Sequence, residues 1–289
     1  MTPSYLWYVP LLIYFISSVA NTIIQRKAAL AATVTPRLIS FLAFMLFLWP
    51  AGIICALIFG EFHVTWQSQT YLALLFSALG IGGFSIYSIQ LNKQVDAIQY
   101  SVVTNLNTLV VVLLGIIIVG DTLTNIQFIG MLLLVLGSIL IAVKGLNKSA
   151  FAFDKYSILL VLATAALGVG IVAERAALNY MSISSYLIIG YGLQTLVLGI
   201  SSRKVLHEVK KLSKSQWLLV SKIGITRAGW NLGFLLAVVA SLNVSLVASI
   251  SSFRVPLVFV VSYFILSERT SLKRKFIGMI IATLGLVLI

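Results

Sequence analysis

Residues 245–268 read Ser245-Leu-Val-Ala-Ser-Ile-Ser-Ser-Phe-Arg-Val-Pro-Leu-Val-Phe-Val-Val-Ser-Tyr-Phe-Ile-Leu-Ser-Glu268. The stretch is about as long as a bilayer-spanning helix, and Arg254 stands near its middle. A charge at bilayer depth costs at least a few kcal/mol on insertion scales, so it faces a bundle interior or a wet cavity. Two residues on, Pro256 removes a backbone donor, which predicts a helix kink beside such a cavity. The stretch therefore calls for a bundle of further membrane helices to surround it.

The remainder of the chain supplies them. Of 289 residues, 60% are hydrophobic and only 9% charged, with mean hydropathy +1.09. A soluble domain carries roughly 25% charged residues, so this chain is expected to be an all-α polytopic membrane protein. Apolar windows predict ten transmembrane helices, over 4–25, 37–59, 70–91, 98–119, 125–144, 157–178, 185–202, 217–239, 245–266 and 275–289. The last is short and implies local thinning of the bilayer. The N-terminus lacks the basic region of a cleavable signal peptide, so the first span is expected to be retained. The single cysteine, Cys55, excludes intrachain disulfides and cysteine-based metal sites. The two histidines, His63 and His207, fall in polar connectors. No metal or cofactor is expected.

An internal repeat divides the chain into halves, 1–145 and 150–289. Arg26-Lys-Ala-Ala-Leu30 returns as Glu174-Arg-Ala-Ala-Leu178, and Phe128-Ile-Gly-Met131 returns as Phe276-Ile-Gly-Met279, both shifted by 148. Gly137 matches Gly285 at the same shift, and Asp121 matches Glu268 at 147. Five helices per half is an odd number, so the second half enters the membrane inverted. Inverted repeats build many secondary transporters and place the substrate site at the repeat interface near midplane.

The net charge of +13 is distributed as this inversion requires. Lys and Arg crowd the odd-numbered connectors, including 26–37, 145–156, 203–216 and 267–275. The even-numbered connectors carry essentially Arg175 alone. The positive-inside rule then puts the odd connectors in the cytoplasm and both termini outside. The same rule accounts for the basic balance without nucleic acid as a partner.

Two halves of five helices, each closing with an acid, a short loop and a Gly-bearing last helix, resemble the drug/metabolite transporter superfamily of EamA type. The residues that carry the resemblance are Gly120-Asp121-Thr122-Leu123 with Gly130 and Gly137, and Ser267-Glu268-Arg269-Thr270 with Gly278 and Gly285. Pro256 stands where that family commonly has a proline in its ninth helix. The chain departs from the pattern with Asp121 in place of the usual Glu, and with Leu109 where Pro256 has its partner. Family members usually keep both termini in the cytoplasm, opposite to the charge count here. The resemblance implies secondary transport, often export, of small metabolites, and leaves the solute open.

Catalytic signatures are absent: no phosphate-binding loop, zinc-protease helix or nucleophile elbow occurs. No enzyme activity is expected, and without a phosphate-binding loop the energy source would be a proton or other ion gradient, or exchange. The ionisable residues singled out within spans are Glu174, Lys222, Arg227 and Arg254. Lys222 lies about one turn inside its helix and is expected to snorkel. Glu174 beside Arg175 reads either as an interfacial ion pair or as a coupling or gating group. Asp121 and Glu268 are expected at the interface or as caps of following helices.

Arg227 and Arg254 lie about 15 Å from either end of their helices, at 1.5 Å per residue. An unpaired guanidinium in a cavity presents a planar fork of donors suited to a carboxylate or phosphate. The alternative is that hydroxyls, water and carbonyls freed by Pro256 satisfy both. Polar residues within other spans are Thr104, Asn105, Asn107 and Thr108 on the fourth helix, Trp230 and Asn231 on the eighth, and Asn21 and Gln25 on the first. Asn107 is the repeat partner of Arg254. Candidate substrate-binding residues are thus Arg254, Arg227, Asn107, Asn105, Asn231 and Trp230. For each amide the competing reading is an interhelical hydrogen bond.

The expected function is alternating-access transport of a small organic solute bearing a carboxylate or phosphate across the inner membrane. A multidrug or cationic-compound exporter using Glu174 is the second reading. A non-transporting membrane scaffold or enzyme is the third.

Overall fold

A computed structural model describes residues 7–31, 35–94, 97–142, 155–266 and 272–288. The described chain is helical throughout: α1 (Tyr8–Ala31), α2 (Pro36–Ala43), α3 (Trp49–Phe59), α4 (Ser68–Gln94), α5 (Ala97–Asn105), α6 (Asn107–Leu114), α7 (Asn125–Ala142), α8 (Lys155–Ala177), α9 (Ile183–Ser202), α10 (Lys214–Ser241), α11 (Val244–Ser251), α12 (Arg254–Ile265) and α13 (Leu272–Val287). A π-turn at Phe44–Leu48 joins α2 to α3, and another at Gly115–Val119 ends α6. The only extended pairing among described residues is one bridge, Val64 to Met181. Glu268, and all of the connector 145–156 except Lys155 and Tyr156, lie outside the described residues.

The apolar exterior identifies a polytopic α-helical membrane protein. On α4, Leu72, Leu75, Phe76 and Leu79 are exposed, whereas Ser77, Gly80, Ser85, Ser88 and Asn92 are buried. A water-soluble helix would do the reverse. Lipid tails are as apolar as leucine, so association between membrane helices rests on close approach of small residues and on hydrogen bonds. At Gly80 an added Cβ would lie against the Ala166 carbonyl and 2.7 Å from the Gly170 Cα. That approach locks α4 to α8. The pairs α1–α10 and α7–α13 make equally extensive contacts. Between α7 and α13, a Cβ at Gly137 would fall 2.5 Å from the Gly278 carbonyl, and one at Gly285 would fall 2.6 Å from the Gly130 carbonyl.

Among the described residues, seven segments are long and apolar enough to cross a membrane by length and composition, against the ten expected. Three more apolar segments, Val103–Val119, Asn125–Gly137 and Phe276–Gly285, are shorter. The helix boundaries otherwise fall close to the sequence expectation, except that α1 runs on to Ala31.

The predicted kink lies upstream of its proline. The helix breaks at Ser252–Phe253, and Pro256 sits in the first turn of α12. The reason is geometric: a proline ring clashes with the carbonyl four residues back, here that of Ser252. A second break falls at Leu106, between α5 and α6, although Leu109 and not proline follows it. A hydroxyl pair ties the two breaks together, Thr108 Oγ1 to Ser252 Oγ at 2.9 Å.

Hydrogen bonds sort the connectors to two ends. At one end the Thr35 hydroxyl bonds the Glu208 carboxylate at 2.9 Å, and Arg26 Nη1 donates to the carbonyls of Asn92 (2.8 Å) and Lys93 (3.0 Å). At the other end Ser182 Oγ donates to the Glu61 carbonyl at 2.7 Å, and Asn243 Nδ2 donates to the Thr122 carbonyl at 3.0 Å. The first end carries Arg26, Lys93, Arg203, Lys204, Lys210 and Lys211; Arg175 lies toward the second.

Candidate functional site: a cavity between two buried arginines

α4, α5, α8, α10 and α12 converge at mid-depth. Arg227 on α10 is 2% exposed and Arg254 on α12 is 6% exposed. Arg227 donates from Nη1 to Ser85 Oγ (2.9 Å) and from Nη2 to Ser88 Oγ (3.1 Å), both on α4. Arg254 donates from Nη2 to Thr104 Oγ1 at 3.0 Å, across the broken helix of the first half. Both guanidinium carbons stand over the ring of Trp230, at 5.5 Å and 5.6 Å from its centre. Arg227 also lies 5.4 Å from the Phe44 ring.

The two cations thus flank a single indole. The Nε of each is buried without a hydrogen-bond partner. Among the described residues neither guanidinium has a carboxylate within ion-pair distance. Each cation–π contact contributes about 1–2 kcal/mol when desolvated, and neutral hydroxyls solvate a charge without cancelling it.

Beside them lies a cavity of about 30 Å³, lined by Tyr14, Ile81, Asn107, Glu174, Trp230, Asn231, Phe234, Ser251 and Arg254 among others. That volume holds about one water. Of the residues expected in the site, Asn107, Glu174, Trp230, Asn231 and Arg254 line it. Arg227 does not line the cavity and reaches it through Trp230. Asn105 is buried without lining it. Asn231 also bonds the Arg227 carbonyl through Nδ2 at 2.9 Å.

The other polar residues singled out in the sequence fall as follows. Glu174 makes no pair with Arg175, whose Nη1 bonds Asn179 at 3.0 Å; it is 7% exposed and turns inward towards the Tyr186 hydroxyl. Asp121 caps no following helix of its own half. Its Oδ2 accepts from the Ser245 backbone N–H at 2.8 Å, capping α11 of the other half. Asn21 takes the interhelical role, donating to the Ile223 carbonyl (3.2 Å) and to Thr226 Oγ1 (2.8 Å), and Gln25 bonds Asn21 at 2.6 Å. Sequence reasoning passed over Ser85, Ser88, Tyr14 and Ser251. The serines on α4 recur at helical spacing on its otherwise apolar face, a signal that a polar partner sits opposite.

No protein-family model and no curated protein matches the sequence. A solved structure described only as the crystal structure of a protein superposes with a TM-score of 0.68. It is 19% identical and spans 97% of this chain and 96% of that one. At that identity the likeness concerns the fold alone, over essentially the whole length of both chains.

Proposed function

We propose that the chain is a secondary transporter that carries a small organic anion, bearing a carboxylate or phosphate, through the membrane by alternating access. The observation that carries this reading is the pair of buried guanidiniums around Trp230 with no described carboxylate partner. A buried charge left uncompensated at mid-depth is costly unless a ligand supplies the counter-charge.

The architecture belongs to the same proposal: ten crossings, with the shorter apolar helices included, in two inverted halves resembling the EamA-type drug/metabolite transporters. The contacts support it. Shifting by 148 turns the α4–α8 pair into α10–α1 and the α7–α13 pair into itself. The approaches at Gly137 and Gly285 are images of each other under that shift, and the helix breaks at Leu106 and Phe253 correspond at 147.

A departure from this symmetry supplies the alternating step. At the basic end Arg26 and Asn92 tie α1 to α4, with Asn92 Nδ2 donating to the Thr22 carbonyl at 3.3 Å. The image pair, α8 and α10, has no comparable contact. The image of Arg26 is Glu174, which lacks the donors to bridge to carbonyls when ionised. Among the described residues, the basic end thus carries an α1–α4 tie whose α8–α10 counterpart at the opposite end is missing. By the positive-inside rule the basic end is cytoplasmic, in a bacterial-type inner membrane. A cavity of about 30 Å³ is a contracted site, and a bound metabolite needs several hundred.

Glu174 on the same cavity favours a second reading, export of amphipathic cations, in which the acid holds the cargo. A thermal-stability screen separates the two. Purified protein is incubated with matched carboxylates, phosphates, neutral analogues and organic cations. Stabilisation by anions that disappears in Arg254→Ala supports the proposal. Stabilisation by cations that disappears in Glu174→Gln refutes it.

A further inference from the structure

A second concavity, unrelated to the central site, opens sideways between α1, α12 and the start of α10. It encloses about 1110 Å³ and is lined almost wholly by hydrocarbon, including Leu12, Ile16, Ile23, Phe253, Leu257 and Ile265. Two cations, Lys27 and Lys222, also line it. Both side chains are exposed, and among the described residues neither has a hydrogen bond or ion pair. Lys27 is one turn from the end of α1, and Lys222 is two turns from the start of α10. Both starting points belong to the basic end, so the lysines crown the groove on one side and Leu12 and Phe253 close it towards mid-depth.

From Leu12 to Lys27 the groove follows α1 for about 22 Å at 1.5 Å per residue. Half of a bilayer with its headgroups is about the same, roughly 20–22 Å. The floor therefore matches one leaflet, with charge at headgroup height and hydrocarbon below it. The wall ends at the Phe15–Phe253 ring contact, centres 6.4 Å apart, and no residue lining the central cavity lines the groove. An unpaired lysine two turns inside an apolar span is unfavourable next to neutral lipid, and an anionic headgroup offers the matching charge.

We propose that this groove is a binding site for one anionic phospholipid of the leaflet at the basic end. Its phosphate lies between Lys27 and Lys222, and an acyl chain lies along α1 and α12. The site requires only that the protein sits in a membrane and does not depend on the transport reading. Because α12 begins at Arg254, an occupied groove bears directly on the helix that carries the central arginine.

The test uses the full-length protein in a neutral detergent, titrated with phosphatidylglycerol, phosphatidylcholine or inorganic phosphate while thermal stability is followed. Phosphatidylglycerol is expected to raise the Tm saturably, and the other two are not. Each surface cation adds about one kcal/mol of attraction to an anionic lipid, so the Lys27→Ala/Lys222→Ala protein is expected to bind roughly 30-fold more weakly. Lys210→Ala/Lys211→Ala, on the same end but outside the groove, keeps wild-type affinity. Leu257→Trp, which fills the groove and leaves the lysines, also weakens binding. Equal shifts with phosphatidylcholine, or a shift with inorganic phosphate alone, overturn the proposal. So does equal loss in the two lysine pairs.

Discussion

Gly80 and Gly83 lie one helical turn apart on α4, and the same substitution is expected to have opposite consequences at the two. A Cβ on Gly83 meets nothing within 4 Å. Gly83→Ala then acts only through backbone freedom and helix propensity, a gain of up to about 1 kcal/mol. A Cβ on Gly80 falls 2.7 Å from the Gly170 Cα and also against the Ala166 carbonyl, both of them backbone that cannot rotate away. Carbon contacts settle near 3.5–4.0 Å, so α4 and α8 must part by about 1 Å. Overpacking of this kind costs about 1–3 kcal/mol. The propensity gain is common to both variants and cancels in their difference, which isolates the packing cost. Thermal unfolding in one detergent should place Gly80→Ala below Gly83→Ala by about 1–3 kcal/mol, several degrees in Tm. Equal stabilities would refute the close approach of α4 and α8, and with it the path that carries Ser85 and Ser88 to Arg227.

Other outcomes follow from single contacts. Arg26→Ala removes the donor that holds the Asn92 and Lys93 carbonyls, a loss of about 1.5–3 kcal/mol for a charged hydrogen bond. In a Cys55→Ser background, a Thr22→Cys probe should then react with an impermeant thiol reagent at least several-fold faster from the basic end. Asp121→Ala uncaps the Ser245 N–H and should lower stability by about 1–2 kcal/mol, whereas Asp121→Asn, which keeps an acceptor, loses less. Trp230→Leu removes the ring shared by both guanidiniums and should weaken anion-dependent stabilisation by at least several-fold without abolishing the fold, as ligand titration would report.

The helices were legible because apolar runs of that length have few alternatives, and the break near Pro256 because a proline cannot continue the ladder. That the break falls at Ser252–Phe253 follows from which carbonyl the ring strikes. The break at Leu106 has no such marker, and tertiary hydroxyl contacts through Thr108 accompany it instead. Arg254 and Arg227 declared themselves as charges at the wrong depth. Their partners did not, because Ser85, Ser88 and Thr104 lie more than 130 positions away in sequence and meet them only through helix packing. Of the two readings left open for Glu174, the pair with Arg175 does not form, since neighbours one apart on a helix point in different directions. Repeat alignment paired Arg26 with Glu174, yet the two side chains differ in what they do: Arg26 holds the Asn92 and Lys93 carbonyls, and Glu174 is buried beside the central cavity.

The central claim concerns charge, and transport by Arg254→Ala in proteoliposomes tests it most directly. A panel of carboxylates, phosphorylated compounds and neutral analogues of matched size is offered to wild type and variant at equal reconstitution. Truncating a buried charge that meets an opposite charge costs about 2–5 kcal/mol. Flux of the anionic solute is therefore predicted to fall at least tenfold in Arg254→Ala, with partial recovery in Arg254→Lys. Anionic flux unchanged by the loss of Arg254 would contradict the account.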